Sequence, residues 1–136
     1  MSDSRCSEIP VINQIEFNPY CVDHDILDVC KNHRILVQAY SPLGSDPGRN
    51  KAKNFNQVLE NETMIKVANE RKCTVAQVAI SWALSKGVAI TSKTEKEHRM
   101  KENISGTEIK LTDENIKEID KLNIEQRVFW NPYKIL

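Results

Sequence analysis

The sequence has no excess of charge of either sign. Its 136 residues contain 19 basic and 19 acidic side chains, and its isoelectric point is about 6.8. A chain without a strong positive field has little means of concentrating nucleic acid or an anionic membrane at its surface. We therefore expect neither nucleic acid nor membrane among its partners.

Long apolar segments are also lacking. Residues 1–10 contain no apolar stretch of the kind found in a secretory leader. Nowhere does an uninterrupted apolar run approach the roughly 20 residues that a membrane span needs. We therefore expect a soluble protein with a cytoplasmic location.

The cysteines lack the C-x-x-C spacing of a zinc site or redox motif, and this spacing also gives no sign of a disulfide framework. Cys30 and Cys73 fall on apolar stripes, which favours buried free thiols over ligands. His24, His33 and His98 lie on predicted helices or helix ends, and we expect them at the surface. No metal site is predicted.

Strand and helix patterns alternate along the chain. The predicted strands are Ile9–Phe17, Ile35–Tyr40 and Val88–Thr91, and the predicted helices are Asp23–Arg34, Glu62–Lys72, Val75–Lys86, one opened by a capping box at Thr94 and running to about Asn103, and one starting at Leu111–Glu114. Asp23 is a candidate N-cap and Thr74 opens a second capping box. Positions predicted to face inward include Ile65, Ala68, Val78, Trp82 and Ile119.

This alternation predicts an α/β fold with a parallel sheet. The chain is long enough for one domain, so we expect residues 1–136 to form a single domain. Three strands cannot close a barrel, and an eight-stranded one takes around 250 residues. The pattern therefore fits a partial (β/α)8 TIM barrel of about the last three βα units plus a C-terminal helix and tail. Its exposed strand edges favour self-association.

Two segments carry groups suited to a nucleotide. Lys93 and Thr94 end the third strand and Arg99 follows on the next helix, where backbone N–H groups, a cation and a guanidinium can converge on phosphate. The same charges are also typical of a solvated helix with i,i+4 pairs. Tyr40 ends the second strand before a Ser/Gly-rich turn, where its ring can stack on a flat heterocycle; an ordinary strand end would look similar.

Three linked motifs in this order and spacing resemble the aldo-keto reductase family. They are Val11-Ile12-Asn13-Gln14-Ile15-Glu16-Phe17-Asn18-Pro19-Tyr20, Ala39-Tyr40-Ser41-Pro42-Leu43-Gly44-Ser45, and Lys93-Thr94-x4-Arg99-x2-Glu102-Asn103. The resemblance covers the chain from about Glu8 to the tail and marks residues 1–7 as an atypical N-terminal extension. It implies a barrel that binds NADPH/NADP+ across its C-terminal mouth.

The resemblance also implies roles for single residues. Gln14 would hydrogen-bond the nicotinamide carboxamide, and Tyr40 would stack on the nicotinamide ring. Three residues would line the pyrophosphate: Ser41, Leu43 and Ser45. Lys93, Thr94 and Arg99 would grip the 2′-phosphate, with Glu102 and Asn103 near adenine. The loop from Ser41 to Asn56 resembles the family's cofactor-covering belt.

No position resembles the family's catalytic Tyr, Lys, Asp and His, which lie on earlier strands. Three interpretations remain open. The chain is the C-terminal part of an NADP-dependent aldo-keto reductase acting on a small-molecule carbonyl, with the catalytic half supplied elsewhere; or a non-catalytic nucleotide-binding or interaction module; or a truncated gene product. In the first case we expect the isolated chain to be inactive. The aromatic tail, Val128–Tyr133, either walls a substrate pocket or packs on the barrel exterior.

Overall fold

Three parallel strands form one sheet in the order β1-β2-β3. The computed structural model describes residues 8–44, 57–129 and 131. The strands are β1 (Ile12–Glu16), β2 (Leu36–Tyr40) and β3 (Ala89–Ile90). The register pairs Gln14 with Gln38, and Gln38 with Ala89. The predicted parallel sheet is confirmed, although each strand is shorter than predicted at one or both ends.

Five α-helices accompany the sheet in the described residues. They are α1 (His24–Asn32), α2 (Glu62–Arg71), α3 (Val75–Ser85), α4 (Glu97–Ser105) and α5 (Asp113–Asp120), with short 3-10 helices at Val58–Glu60 and Gly106–Glu108. The Asp23 carboxylate accepts the N–H of Ile26 at 3.1 Å and so caps α1. Thr74 and Gln77 form the reciprocal capping box of α3. Both caps were predicted, and both are confirmed.

The predicted start of α4 is wrong. The helix begins at Glu97, after Lys96, and not at a capping box of Thr94. The Thr94 hydroxyl accepts the N–H of Lys96 at 3.2 Å, only two residues further on. It therefore closes a local turn instead of capping a helix. The helix then continues to Ser105, two residues beyond the predicted end.

The core lies between one face of the sheet and the helices. Ile15, Val37 and Ala39 contribute from the sheet, and the helices contribute Met64, Val67, Val78, Trp82 and Ile119. Phe17, which follows β1 directly, stacks on Trp82 with ring centroids 5.0 Å apart. Burying these aliphatic and aromatic side chains supplies the main favourable term in folding.

The prediction that Ile65 faces the core is wrong. Its side chain is 40% exposed, whereas Met64 and Val67 are fully buried. Met64, Val67 and Ala68 lie at i, i+3 and i+4, which is one helical face. The buried stripe is therefore rotated by one residue from the predicted one.

The opposite face of the sheet is open in the described part of the chain. Ile12 and Leu36, which pair across the strands, are 48% and 45% exposed. Gln14 and Gln38 lie on the same face, one step nearer the carboxyl ends of the strands. In a closed barrel this face would turn inward. Within the same residues, no helix is both long enough and apolar enough to cross a membrane.

Candidate functional site

The carboxyl ends of the three strands meet at one edge of the sheet, because all the pairings are parallel. β1 ends at Glu16, β2 at Tyr40 and β3 at Ile90. In α/β sheets ligands bind beyond this edge, where the loops and helix N-termini offer backbone donors. All but one of the candidate residues can therefore be located relative to this edge.

Tyr40 is half-buried at the end of β2. Its carbonyl accepts the N–H of Phe17 at 3.3 Å, which anchors the strand end. Its ring meets Phe129 edge to face, with centroids 5.4 Å apart and planes at 78°. Burial raises the pKa of the Tyr40 hydroxyl, and the Glu16 carboxylate raises it further. The side chain is therefore a neutral aromatic surface at physiological pH.

A tight turn follows Tyr40. The Ser41 carbonyl accepts the N–H of Gly44 at 3.0 Å, and Ser41 has a φ of 52°, a left-handed conformation uncommon for serine. Gly44 also has a positive φ, and a Cβ there would lie 3.1 Å from the Val58 side chain. Leu43 packs against the core. Ser45 lies outside the described residues.

Gln14 lies on the open face of the sheet. Its side-chain amide donates to the Gln38 Oε1 at 2.7 Å, which leaves the Gln14 carbonyl oxygen available. Sequence reasoning did not single out Gln38. The feature that could have indicated Gln38 is that it is a polar residue inside the apolar strand Leu36–Tyr40, at the position that pairs with Gln14.

The predicted phosphate ligands lie just before and just after the start of α4. Lys93 pairs with Glu95 at 2.5 Å, but both side chains are more than 80% exposed, so this ion pair is weak and easily exchanged. Arg99 is exposed in the first turn, and its guanidinium has no hydrogen bond or ion pair with another described residue. Lys96 is the N-cap residue of α4, and its side chain makes no capping hydrogen bond to the first turn. These groups could all receive an anion.

Asn103 ties α4 to the segment after β3. Its side-chain amide donates to the Ser92 hydroxyl at 3.1 Å. Beside this bond lies a cavity of about 330 Å³ between α3, β3 and α4, whose lining includes Ile80, Leu84, Ile90, Thr94, Asn103 and Ile104. Glu102 is half-buried next to Asn103. The structure thus brings Thr94 and Asn103 to one cavity, while Gln14 and Tyr40 form a separate group.

Sequence reasoning missed a buried carboxylate at the end of β1. Glu16 is 2% exposed, and its two oxygens accept the N–H groups of Val128 and Phe129 at 2.9 and 3.2 Å. The Asn123 side chain bonds both backbone groups of Val22 at 3.1 Å. The tail, up to Phe129, therefore lies at the carboxyl ends of the strands. The one feature of the sequence that could have indicated the role of Glu16 is its position as an acidic residue between Ile15 and Phe17 in an apolar strand.

The sequence profile of the Aldo/keto reductase family matches residues 5–124. The chain is 35% identical over 127 residues to the glyoxal reductase of Bacillus subtilis (strain 168), covering 93% of this chain and 42% of that protein. It is 36% identical over 119 residues to dihydrodiol dehydrogenase 3 of Bos taurus, covering 87% of this chain and 37% of the relative. The chain thus spans about two-fifths of the length of these relatives.

Solved structures agree with these sequence matches. A crystal structure of an aldo-keto reductase from a Medee basin deep-sea metagenome library superposes with a TM-score of 0.82 at 28% identity, over 93% of this chain and 44% of that one. An aldo-keto reductase crystallised in complex with NADPH superposes with a TM-score of 0.81 at 29% identity, over 90% of this chain and 38% of that one. The chain belongs to the aldo-keto reductase family and forms part of that family's barrel.

Proposed function

We propose that this chain contributes the NADP(H)-binding part of an aldo-keto reductase that reduces aldehydes or ketones to alcohols. One observation supports the proposal: in the segment after β3, a weakly paired lysine, a helix start without a side-chain cap and a guanidinium with no partner among the described residues follow one another closely along the chain. A relative of known structure was crystallised with NADPH. Three free thiols in the described residues fit a cytoplasmic location.

The donor set around α4 fits the 2′-phosphate of NADP(H). Lys93 and Arg99 would offset its charge, and the Thr94 hydroxyl can donate to it while accepting from Lys96. The first turn of α4 would add backbone N–H donors and a helix dipole that favours an anion. Glu102 and Asn103 would lie near adenine, which the adjoining cavity could receive.

The groups at the ends of β1 and β2 fit the other end of the cofactor. The neutral ring of Tyr40 would stack on the nicotinamide. The Gln14 side chain has a free carbonyl oxygen that would accept from the carboxamide. The turn at Ser41 and Leu43, together with Ser45, would line the pyrophosphate that joins the two ends of the cofactor. Since Leu43 packs into the core, only its backbone would face the cofactor.

Bound NADPH would supply the hydride. This chain's residues would hold the cofactor, and a small-molecule carbonyl would approach the nicotinamide face opposite Tyr40. The developing negative charge on the carbonyl oxygen needs a proton donor and oriented neighbours. We assign none of these roles to this chain, since no residue here resembles the family's catalytic Tyr, Lys, Asp or His. They would come from the rest of the barrel.

The assignment of the phosphate site is tested by titrating the 136-residue chain with NADPH and with NADH. Arg99→Ala should weaken NADPH binding by about 1.5–3 kcal/mol, or roughly 10- to 150-fold, the scale of a hydrogen bond to a charged group. NADH, which lacks the 2′-phosphate, should be nearly unaffected. Lys101→Ala, which removes a cation from the same helix, is the matched control. An equal loss for both cofactors would refute the assignment.

A further inference from the structure

The segment 127–129 is fixed to the sheet edge by interactions that span most of the chain. Glu16 accepts two backbone N–H groups from it, and Arg127 pairs with Asp23 at 2.7 Å. Both members of that ion pair are more than 80% buried. Each contact joins residues more than 100 positions apart, so the segment is held by tertiary contacts and not by a local turn.

The buried Glu16 carboxylate holds the segment 127–129 through backbone N–H groups and not through a side chain. A carboxylate removed from water needs hydrogen-bond donors, and here two successive amides supply one bond to each oxygen. Such a pair of bonds is directional and charge-assisted. It determines which residue of the segment turns toward β2, and that residue is Phe129.

The Phe129 ring meets Tyr40 in an edge-to-face arrangement, with centroids 5.4 Å apart. This geometry is the favoured one for two aromatic rings because the edge of one ring is positive and the face of the other negative. Tyr40 is half-buried and lies at the end of β2, where this ring contact adds to its packing. Phe129 therefore limits the orientations that the Tyr40 ring can adopt.

We propose that Glu16 is a positioning residue for the nicotinamide site: it holds the backbone at Val128 and Phe129, and Phe129 in turn holds the Tyr40 ring ready for stacking. This proposal rests on the proposed function, in which Tyr40 stacks on the nicotinamide. A ring already ordered loses less side-chain entropy when a ligand binds. The contact between Phe129 and Tyr40 should therefore strengthen binding of the nicotinamide end of the cofactor and leave binding of the 2′-phosphate end unchanged.

The test compares two probes that share the 2′-phosphate end, NADPH and 2′-phospho-ADP-ribose, which lacks nicotinamide. Both are titrated into the full chain and into Glu16→Gln, in which an amide NH₂ opposes one of the two N–H donors. Glu118→Gln makes the same chemical change at a half-exposed carboxylate paired with Lys66. Phe129→Ala removes the ring and keeps the carboxylate. Tyr40 ring resonances are followed by NMR in all four proteins.

We expect NADPH to lose about three- to tenfold in affinity in Glu16→Gln and in Phe129→Ala, the scale of one aromatic pair. The affinity for 2′-phospho-ADP-ribose should stay constant, Tyr40 resonances should shift, and Glu118→Gln should behave as wild type. If Glu16→Gln does not fold, Phe129→Ala decides alone.

Three other outcomes overturn the proposal, and only the last of them also overturns the proposed function. If wild type binds both probes but Phe129→Ala leaves their ratio unchanged, the positioning role is wrong while the cofactor site stands. If both affinities fall equally, the change is a general loosening and the proposal is again wrong. If wild type binds neither probe, the proposed function fails and the positioning role falls with it.

Discussion

Cys21 and Tyr40 lie near the same buried carboxylate, Glu16, and both have raised pKa values. For Cys21, burial is the main cause and Glu16 the second, and the pKa rises from 9.0 to about 11. The thiol Sγ lies 3.8 Å from the Glu16 carbonyl oxygen. Cys21 is therefore an inert core residue at neutral pH, since the thiolate is the reactive form.

The raised pKa of Cys21 predicts a loss of stability at alkaline pH. The folded state keeps a proton that the unfolded chain releases, so this contribution is complete below pH 9 and is lost as pH rises toward about 11. The difference in free energy of unfolding between wild type and Cys21→Ala should therefore shrink over that range. Urea denaturation at several pH values measures it. Cys30→Ala controls for a lost buried thiol, and a constant difference would contradict the assignment.

Residue-level prediction from sequence succeeded where the partner was local. Asp23 and Thr74 bond amides three residues away, and such caps have a recognisable sequence pattern. Glu16 was missed because its partners lie 112 and 113 residues further along the chain. Asn115 was missed for the same reason: it is buried between Glu70 and Arg71 of α2.

At the scale of elements, the contact between α3 and α4 depends on the absence of a side chain at Gly106. A Cβ there would lie 3.0 Å from the Ile80 Cγ2 and 3.3 Å from the Gln77 Cα. Ile80 is buried and β-branched, so it has little freedom to move away. This close approach positions α4, which carries Arg99 and Asn103, against the rest of the fold.

Gly106→Ala should therefore destabilise the protein. Overpacking a core contact costs about 1–3 kcal/mol, which exceeds the roughly 0.5–1 kcal/mol that alanine gains in a helical conformation. In an Ile80→Ala background the same substitution should cost less, because the clashing atom is gone. Urea denaturation of the four proteins measures the coupling.

Gly87→Ala is the matched control for this double-mutant comparison of Gly106→Ala and Ile80→Ala. A Cβ at Gly87 meets no atom within 4 Å, but its φ of 73° disfavours alanine. Its cost should be the same with Ile80 or Ala at position 80. Fully additive effects of Gly106→Ala and Ile80→Ala would show that α3 and α4 are not in contact through this position.

Element type and order followed from hydrophobic periodicity, which is a local property. The errors came where tertiary contacts or short-range hydrogen bonds decided the outcome. Thr94 matched a capping box, but its hydroxyl bonds Lys96 and delays the helix. Ile65 matched the apolar period, yet packing of α2 against α3 and α5 selected the neighbouring stripe of Met64 and Val67.

At the scale of the whole molecule, helices cover one face of the sheet, and within the described residues the other face is open except at its carboxyl end, where Val128 and Phe129 lie on Glu16. The open face carries Ile12 and Leu36 beside Gln14 and Gln38, and β1 and β3 are the two edges of the sheet. Exposed edges and apolar surface favour association with other strands. Self-association therefore stays a prediction, as does the inactivity of a polypeptide limited to these residues.

The most direct measurement is carbonyl reduction by a chimera in which residues 8–136 replace the matching segment of the Bacillus subtilis glyoxal reductase. We predict that the chimera reduces glyoxal with NADPH in strong preference to NADH, that Arg99→Ala removes this preference, and that the 136-residue chain alone shows no reduction above background. A folded chimera that uses both cofactors equally would contradict the proposed cofactor site. Turnover by the isolated chain within about tenfold of an ordinary reductase would contradict the assignment of catalysis to the rest of the barrel.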